Sequence, residues 1–417
     1  YYGIINQLTN GHFPLTLIVA GIAMTLTALS YAKMCRKYPV AGSVYSYVSK
    51  SIGPRLGFAA GWTMMLDYFL LPMTCYLSLG LYLNILVPAV PVWAWIIIGV
   101  IFVAVCNYVG VTIAGFMNTV NVVAPILGLI VTIIAIIVFI AKGGGAGTLL
   151  FPEALYNPET FQINTLMTGA AIMAIVFVGF DSVTTYAEET IEPEKNMPRA
   201  VVIICVGAAI EFFICAYIMN CGWPWADAAS VIQNPDTAIT EYNVHIGIAW
   251  MNFIFIIINT LACIGCCIAG QGATARILLS MGRDGFIPNK FFGYVHPKFK
   301  TPSRNILLSA AVGLAAIFFQ DSLTNAMSLV SFGAIMGFIL TNISVIARFW
   351  VRDKERSGSA VIKYLIIPAI AAAVCIYLWF SLTATAKIVG FSWLALGVVF
   401  LAIKTKGFRE LPPEMNL

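Results

Sequence analysis

Ile175-Val176-Phe177-Val178-Gly179-Phe180-Asp181-Ser182 lies near the middle of an apolar run from about Leu166 to Ala187, a length that spans a bilayer as a helix. A carboxylate at that depth is expensive. Insertion scales put an acid at a helix centre at roughly 2.5–3.5 kcal/mol, so Asp181 is expected to face a cavity or a partner rather than lipid. Gly179 lowers the cost of breaking the helix and lets a ligand approach the backbone. Broken helices at membrane depth persist only where they are buried in protein or line a cavity. A half-helix ending near Gly179 would aim free carbonyls at that cavity, and carbonyls with a carboxylate favour a cation. The plainer alternative is a packing glycine beside an acid that faces water near a helix end. The stretch is taken here as a binding-site segment.

Outward from it, the 417 residues are 60% hydrophobic and 10% charged, with a mean hydropathy of +0.91. Soluble domains run near 25% charged, so the chain is expected to be an all-α polytopic membrane protein. Eleven complete spans are expected at about 14–32, 57–87, 92–109, 118–141, 166–187, 199–220, 247–275, 303–319, 324–349, 361–381 and 387–403. The segments between them are short. One transmembrane domain over residues 1–417 follows, without room for a soluble catalytic domain. Most of the ten cysteines lie inside spans, where Cys behaves as a small apolar residue. Cys263 and Cys266 make a CxxC inside an apolar helix, and there the spacing reads as packing rather than metal or redox chemistry.

Lys and Arg set the orientation. With eleven spans, 21 of the 23 basic residues fall on one side and only Lys142 and Lys387 fall opposite. The excess marks the 21-residue side as cytoplasmic, and the C-terminus lies there. Tyr1 then lies outside, and Tyr1-Tyr2-Gly3-Ile4-Ile5 is expected to be the tail of a preceding span. Among the outer segments, Trp223 to Tyr242 holds Asp227, Asp236 and Glu241 with no basic residue. Such a run would concentrate cations only within ~8 Å at physiological salt, and it reads equally as a solvated loop.

Three acids remain within spans, Asp67, Asp181 and Glu211, with no Lys or Arg at comparable depth. Intramembrane acids pair, bind a cation or carry a proton. Asp67 stands five residues before Pro72, which removes a helix hydrogen bond. Tyr68, Phe177, Phe180 and Tyr186 offer aromatic faces worth about 0.5–2 kcal/mol each to a desolvated ammonium group, or else they are ordinary core. This inventory points to a cationic substrate, a coupling cation, or both. Asp181 and Glu211 are the candidates for proton transfer. Enzyme readings lack support: His12, His245 and His296 are far apart in sequence, and no HExxH, GxSxG or P-loop pattern is present. No cofactor, metal or nucleic acid is expected.

Several loop motifs now point one way. Tyr38-Pro39-Val40-Ala41-Gly42-Ser43-Val44-Tyr45-Ser46-Tyr47 resembles the loop between the second and third helices of amino acid–polyamine–organocation (APC) transporters. Phe177 to Asp181, followed by Glu188-Glu189-Thr190 and Asn196-Met197-Pro198-Arg199-Ala200, is similar to their sixth helix and the loop after it. The run from Arg276 to Pro288, with His296-Pro297-Lys298 and Thr301-Pro302, resembles the loop between helices 8 and 9. Within that superfamily the resemblance is nearest to bacterial putrescine importers, through Thr9 to Pro14, Gly61-Trp62, Leu66-Asp67-Tyr68, Gly179 to Thr185 and Gly293 to Lys298.

The resemblance implies two inverted five-helix repeats plus two further helices, with most of helix 1 missing from this chain. It also implies a midplane site between broken helices 1 and 6, and alternating access. By position, Gly179, Phe180 and Asp181 are then the helix 6 break, with Phe177 and Val178 leading into it. Asp67 and Tyr68 are the helix 3 wall, and Asn259 and Thr260 line the path from helix 8. Glu211 departs from the family pattern, in which helix 7 is apolar at that place. The expected function is import of putrescine or a related amine across the cytoplasmic membrane, coupled to protons, with sodium left open. The alternatives are an amino acid permease or exchanger of the same superfamily, and a transporter-like sensor that binds without flux.

Overall fold

The structure, a computed structural model, describes residues 1–39, 43–110, 115–181, 183–184, 190–283 and 287–407. Several residues quoted above lie outside the described ones: Val40, Ala41 and Gly42; Ser182; Thr185 to Glu189, including Tyr186; and Asp284 to Phe286; so does Arg409, one of the 21 basic residues counted on the cytoplasmic side. The described residues form helices and no strand. The twelve that matter here are α1 (Tyr2–Thr9), α2 (Phe13–Lys37), α3 (Pro54–Leu86), α4 (Val92–Val109), α5 (Gly115–Ala141) and α6 (Ile163–Met173). They continue as α7 (Pro193–Gly222), α8 (Met251–Arg283), α9 (Ser303–Gly313), α10 (Leu323–Val345), α11 (Ile367–Ser381) and α12 (Ala384–Lys404). Among the described residues nine helical stretches are long and apolar enough to cross a membrane, and Ile163–Phe177 and Ser303–Phe319 are shorter apolar ones. Each overlaps a run marked from hydropathy.

Local chemistry sets several ends. Pro54 opens α3, where its missing N–H costs nothing. Asn10 (φ 53°) closes α1 and Gly110 (φ 77°) closes α4 in the left-handed conformation that stops a helix. Thr383 caps α12 through its side chain, which accepts from the Ala386 N–H.

The chain divides into two compact units, the first comprising Tyr1–Leu15, Tyr68–Gly169 and Phe213–Met327, the second Thr16–Asp67, Ala170–Phe212 and Ser328–Leu417. In the first, α8 is the central helix, flanked by α4, α5 and α9. Its outer layer includes α5, whose Leu127, Ile130, Val131, Ile134 and Val138 are exposed at helical spacing, as on a lipid-facing surface. In the second unit α10 is the core, with Phe332, Ile335 and Phe338 fully enclosed. There α12 holds the first half of α3 through Trp62 and Trp393. Their rings stack at 4.8 Å, and each indole donates to the other residue's carbonyl at 2.9 and 2.8 Å.

Candidate functional site

The second unit contains the break. α6 stops at Met173, tightens into a 3-10 turn over Ala174–Phe177, and leaves helical geometry at Val178 (φ −60°, ψ 128°). Gly179 follows at φ +120°, a region that L side chains rarely adopt. A methyl group there would meet nothing within 4 Å, so the demand for glycine is conformational and not spatial. The Gly179 N–H donates to Asp181 Oδ1 at 3.1 Å. The Asp181 carbonyl accepts from the Thr184 N–H at 3.0 Å and from its hydroxyl at 2.6 Å. Asp181 thus holds the turn that positions it. Its side chain is buried, whereas Val178 is half-buried and Gly179 exposed. The backbone at the break is what lies open.

The aromatic side chains around the break pack against one another. Phe180 stacks on Phe338 of α10 at 5.2 Å and meets Tyr31 of α2 edge-on at 5.4 Å, and Tyr47 closes on Tyr31 at 6.1 Å. Phe177 meets Phe212 of α7 edge-on at 5.9 Å. These are the separations of ordinary core pairs. Glu211, the residue before Phe212, is exposed, so α7 turns its phenyl ring toward the break and its carboxylate away from it.

α10 braces the segments that carry Asp181 and Asp67. Its Ser331 hydroxyl donates to the Ile172 carbonyl of α6 at 3.3 Å. A methyl at Gly333 would come within 2.9 Å of the Thr63 carbonyl and 3.2 Å of the Asp67 nitrogen, and one at Gly337 within 2.5 Å of Met64 Sδ. The two glycines therefore let α10 lie directly on α3 beside Asp67, which is buried. Sequence reasoning missed Ser331, Gly333, Gly337 and Phe338. The available signal was Gly333-x-x-x-Gly337, a spacing that brings membrane helices into backbone contact. It also missed that Thr184 reaches Ser43, with their hydroxyls 3.0 Å apart. Ser43, at φ 42°, belongs to the loop motif after α2, so that motif supports the turn that carries Asp181.

The remaining candidates lie in the first unit. Tyr68 is half-buried, and its carbonyl accepts from the Thr274 hydroxyl of α8 at 3.0 Å. Asn259 approaches the Ser78 hydroxyl of α3 at 3.5 Å. Tyr68 and Asn259 thus share the seam between α3 and α8. The Thr260 hydroxyl donates to the Ile256 carbonyl of its own helix at 2.7 Å. Among the described residues no three His, Cys, Asp or Glu side chains are grouped to hold a metal ion.

Comparison with known proteins identifies the family. The family model described as amino acid permease matches residues 2–405. The chain is 35% identical over 415 residues to the low-affinity putrescine importer PlaP of Escherichia coli (strain K12), covering 99% of this chain and 90% of that protein. It is 25% identical over 400 residues to the methylthioribose transporter of Bacillus subtilis (strain 168), covering 92% and 84%. It is 26% identical over 434 residues to the branched-chain amino acid permease BcaP of the same organism, covering 95% and 86%. A family match over almost the whole length, on a multi-pass helical chain with a glycine-broken sixth helix, makes this protein a transporter of the amino acid permease family, within the APC superfamily, and not an enzyme.

Proposed function

We propose that this transporter imports a small organic cation, putrescine or a related amine, across the cytoplasmic membrane, driven by protons and working by alternating access. In this reading the two units act as one transport domain and the C-terminus is cytoplasmic. The observation that carries it is the buried Asp181 carboxylate on a helix break, in a chain whose spans hold three acids and no basic residue at comparable depth. Identity of 35% to a protein named as a putrescine importer supports the substrate class.

Asp181 and Asp67 neutralise the ammonium groups. Phe177, Val178, Gly179 and Phe180 set the shape of the break, and Tyr68, Asn259 and Thr260 line the path. Asp181 or Glu211 carries the proton. The test is uptake of radiolabelled putrescine into proteoliposomes with a proton gradient on or off, with other amines and neutral amino acids as competitors. Gradient-dependent uptake blocked by diamines alone is the expected result. Asp181→Asn keeps the shape and removes the charge, so it should lower uptake at least ~100-fold if a charge-assisted contact of about 3 kcal/mol is lost. Near-normal uptake would reject the role. The similarity to BcaP favours a second reading, a permease for a neutral amino acid, which competition by neutral amino acids would reveal.

A further inference from the structure

A cavity of about 220 Å³ lies in the first unit, where α1 ends, α2 begins and α7 ends. Asn10 and Gly11 form one wall, residues of the segment 151–160 before α6 a second, and Asn220 with Trp225 a third. Buried hydrogen bonds tie these walls together. The Asn220 side chain, itself buried, donates to the Gly11 carbonyl at 2.9 Å and to the Ala154 carbonyl at 3.1 Å, and its oxygen accepts from Asn6 at 2.8 Å. His12 is also buried. Its Nδ1 donates to the Thr9 carbonyl at 2.7 Å, which leaves Nε2 to accept the Asn157 N–H at 3.2 Å. The Thr160 hydroxyl donates to the Asn10 carbonyl at 3.2 Å. Gly11, at φ +95°, passes so close to Trp225 that a methyl group would come within 3.2 Å of its Cβ. The recess is therefore framed by fixed backbone rather than left between separate loops.

Its lining has one sign. Among the described residues the lining carries one charged side chain, the exposed Glu153, which pairs with no Lys or Arg. No Lys or Arg occurs in residues 1–32, 143–162 or 200–275, from which every wall is drawn. Trp225 adds an indole, the aromatic group that attracts cations best. An anion would be repelled by Glu153, and a neutral solute would leave the carboxylate unengaged. The volume falls below the about 300–1,000 Å³ of pockets for drug-sized ligands, so the occupant is small. We propose that this recess is a second binding site, for a small primary amine in its ammonium form, held by Glu153 and Trp225. It is distinct from the helix break, which belongs to the second unit. Its place on the outer face rests on the transport reading, whereas the binding does not.

The experiment reads the two separately. The full chain, labelled with 5-fluorotryptophan and held in detergent micelles, is titrated with putrescine while fluorine NMR is recorded. The Trp225 line is assigned by its loss in Trp225→Phe. It should move saturably with putrescine and with propylamine, and stay fixed with 1,4-butanediol, which has the same chain length as putrescine and no charge. Glu153→Gln should weaken the apparent affinity at least ~3-fold, the modest effect expected of an exposed charge, while the other tryptophan lines stay in place as a check on folding. Asp181→Asn should leave the Trp225 shift intact. A Trp225 line that does not move, an equal shift with 1,4-butanediol, or unchanged affinity in Glu153→Gln would each overturn the site. Uptake into proteoliposomes is measured on the same preparations. Putrescine uptake that needs Asp181, with a fixed Trp225 line, sinks the second site alone. A saturable, Glu153-dependent shift without putrescine uptake upholds the site and rejects the transport reading.

Discussion

At Gly179 the limiting quantity is a dihedral angle, not a volume. Its φ of +120° is costly for any residue with a Cβ, although open space surrounds the position. Gly179→Ala should cost roughly 1–3 kcal/mol if the turn is kept, read as a lower unfolding temperature of the detergent-solubilised protein together with reduced uptake. An unchanged unfolding temperature with normal uptake would mean that the break is not needed as drawn. Gly179 and Asp181 were legible in the sequence because a glycine and an acid stand out inside an apolar run. The packing of Phe180 was not. Its neighbours Tyr31 and Phe338 come from helices about 150 residues away on either side, and an aromatic beside a ligand has the same letter as an aromatic in a core.

Helices as units show the same division between what composition reveals and what packing decides. The eleven apolar runs gave the helices and most of their ends, since length against bilayer thickness is a local property. Which helix lies inside was not legible. α10 is enclosed along most of its length while α5 is largely exposed, yet both qualify as membrane spans by length and hydropathy, because lipid tails are as apolar as a leucine core. What marks α10 is its pair of small residues against α3. Gly333→Leu forces a branched side chain into the Thr63 carbonyl and the Asp67 backbone, and overpacking of this kind costs typically about 1–3 kcal/mol or more. The expected outcome is a marked loss of thermal stability and of uptake. Ile343→Val, at a partly exposed position of the same helix, should change stability by no more than about 0.5 kcal/mol. Equal behaviour of the two variants would remove α10 from its role as a brace.

For the whole molecule, charge does what hydropathy cannot, because apolar spans have no inherent up or down. By the positive-inside rule the 21-to-2 division of basic residues predicts a side for every loop. Within the second unit the loops assigned to that side meet. Asp353 pairs with Arg348 at 3.2 Å and with Lys37 at 3.3 Å, Arg352 donates to the carbonyls of Lys50 and Ile52, and Lys33 donates to the Lys363 carbonyl. Residues from the end of α2, from the segment just before α3, from just past α10 and from the start of the helical stretch leading to α11 thus gather, as segments on one face of a membrane must. These contacts are partly exposed and individually worth little, so their value here is positional. A fluorescent-protein fusion after Lys404 should therefore fluoresce and an alkaline phosphatase fusion there should be inactive, with phosphatase inserted at Gly147 active. The opposite pattern would put the acidic run of Asp227, Asp236 and Glu241 inside the cell and the basic loops outside. Inward movement of a cation would then begin at the positively charged face, and the import direction would have to be reversed along with the topology.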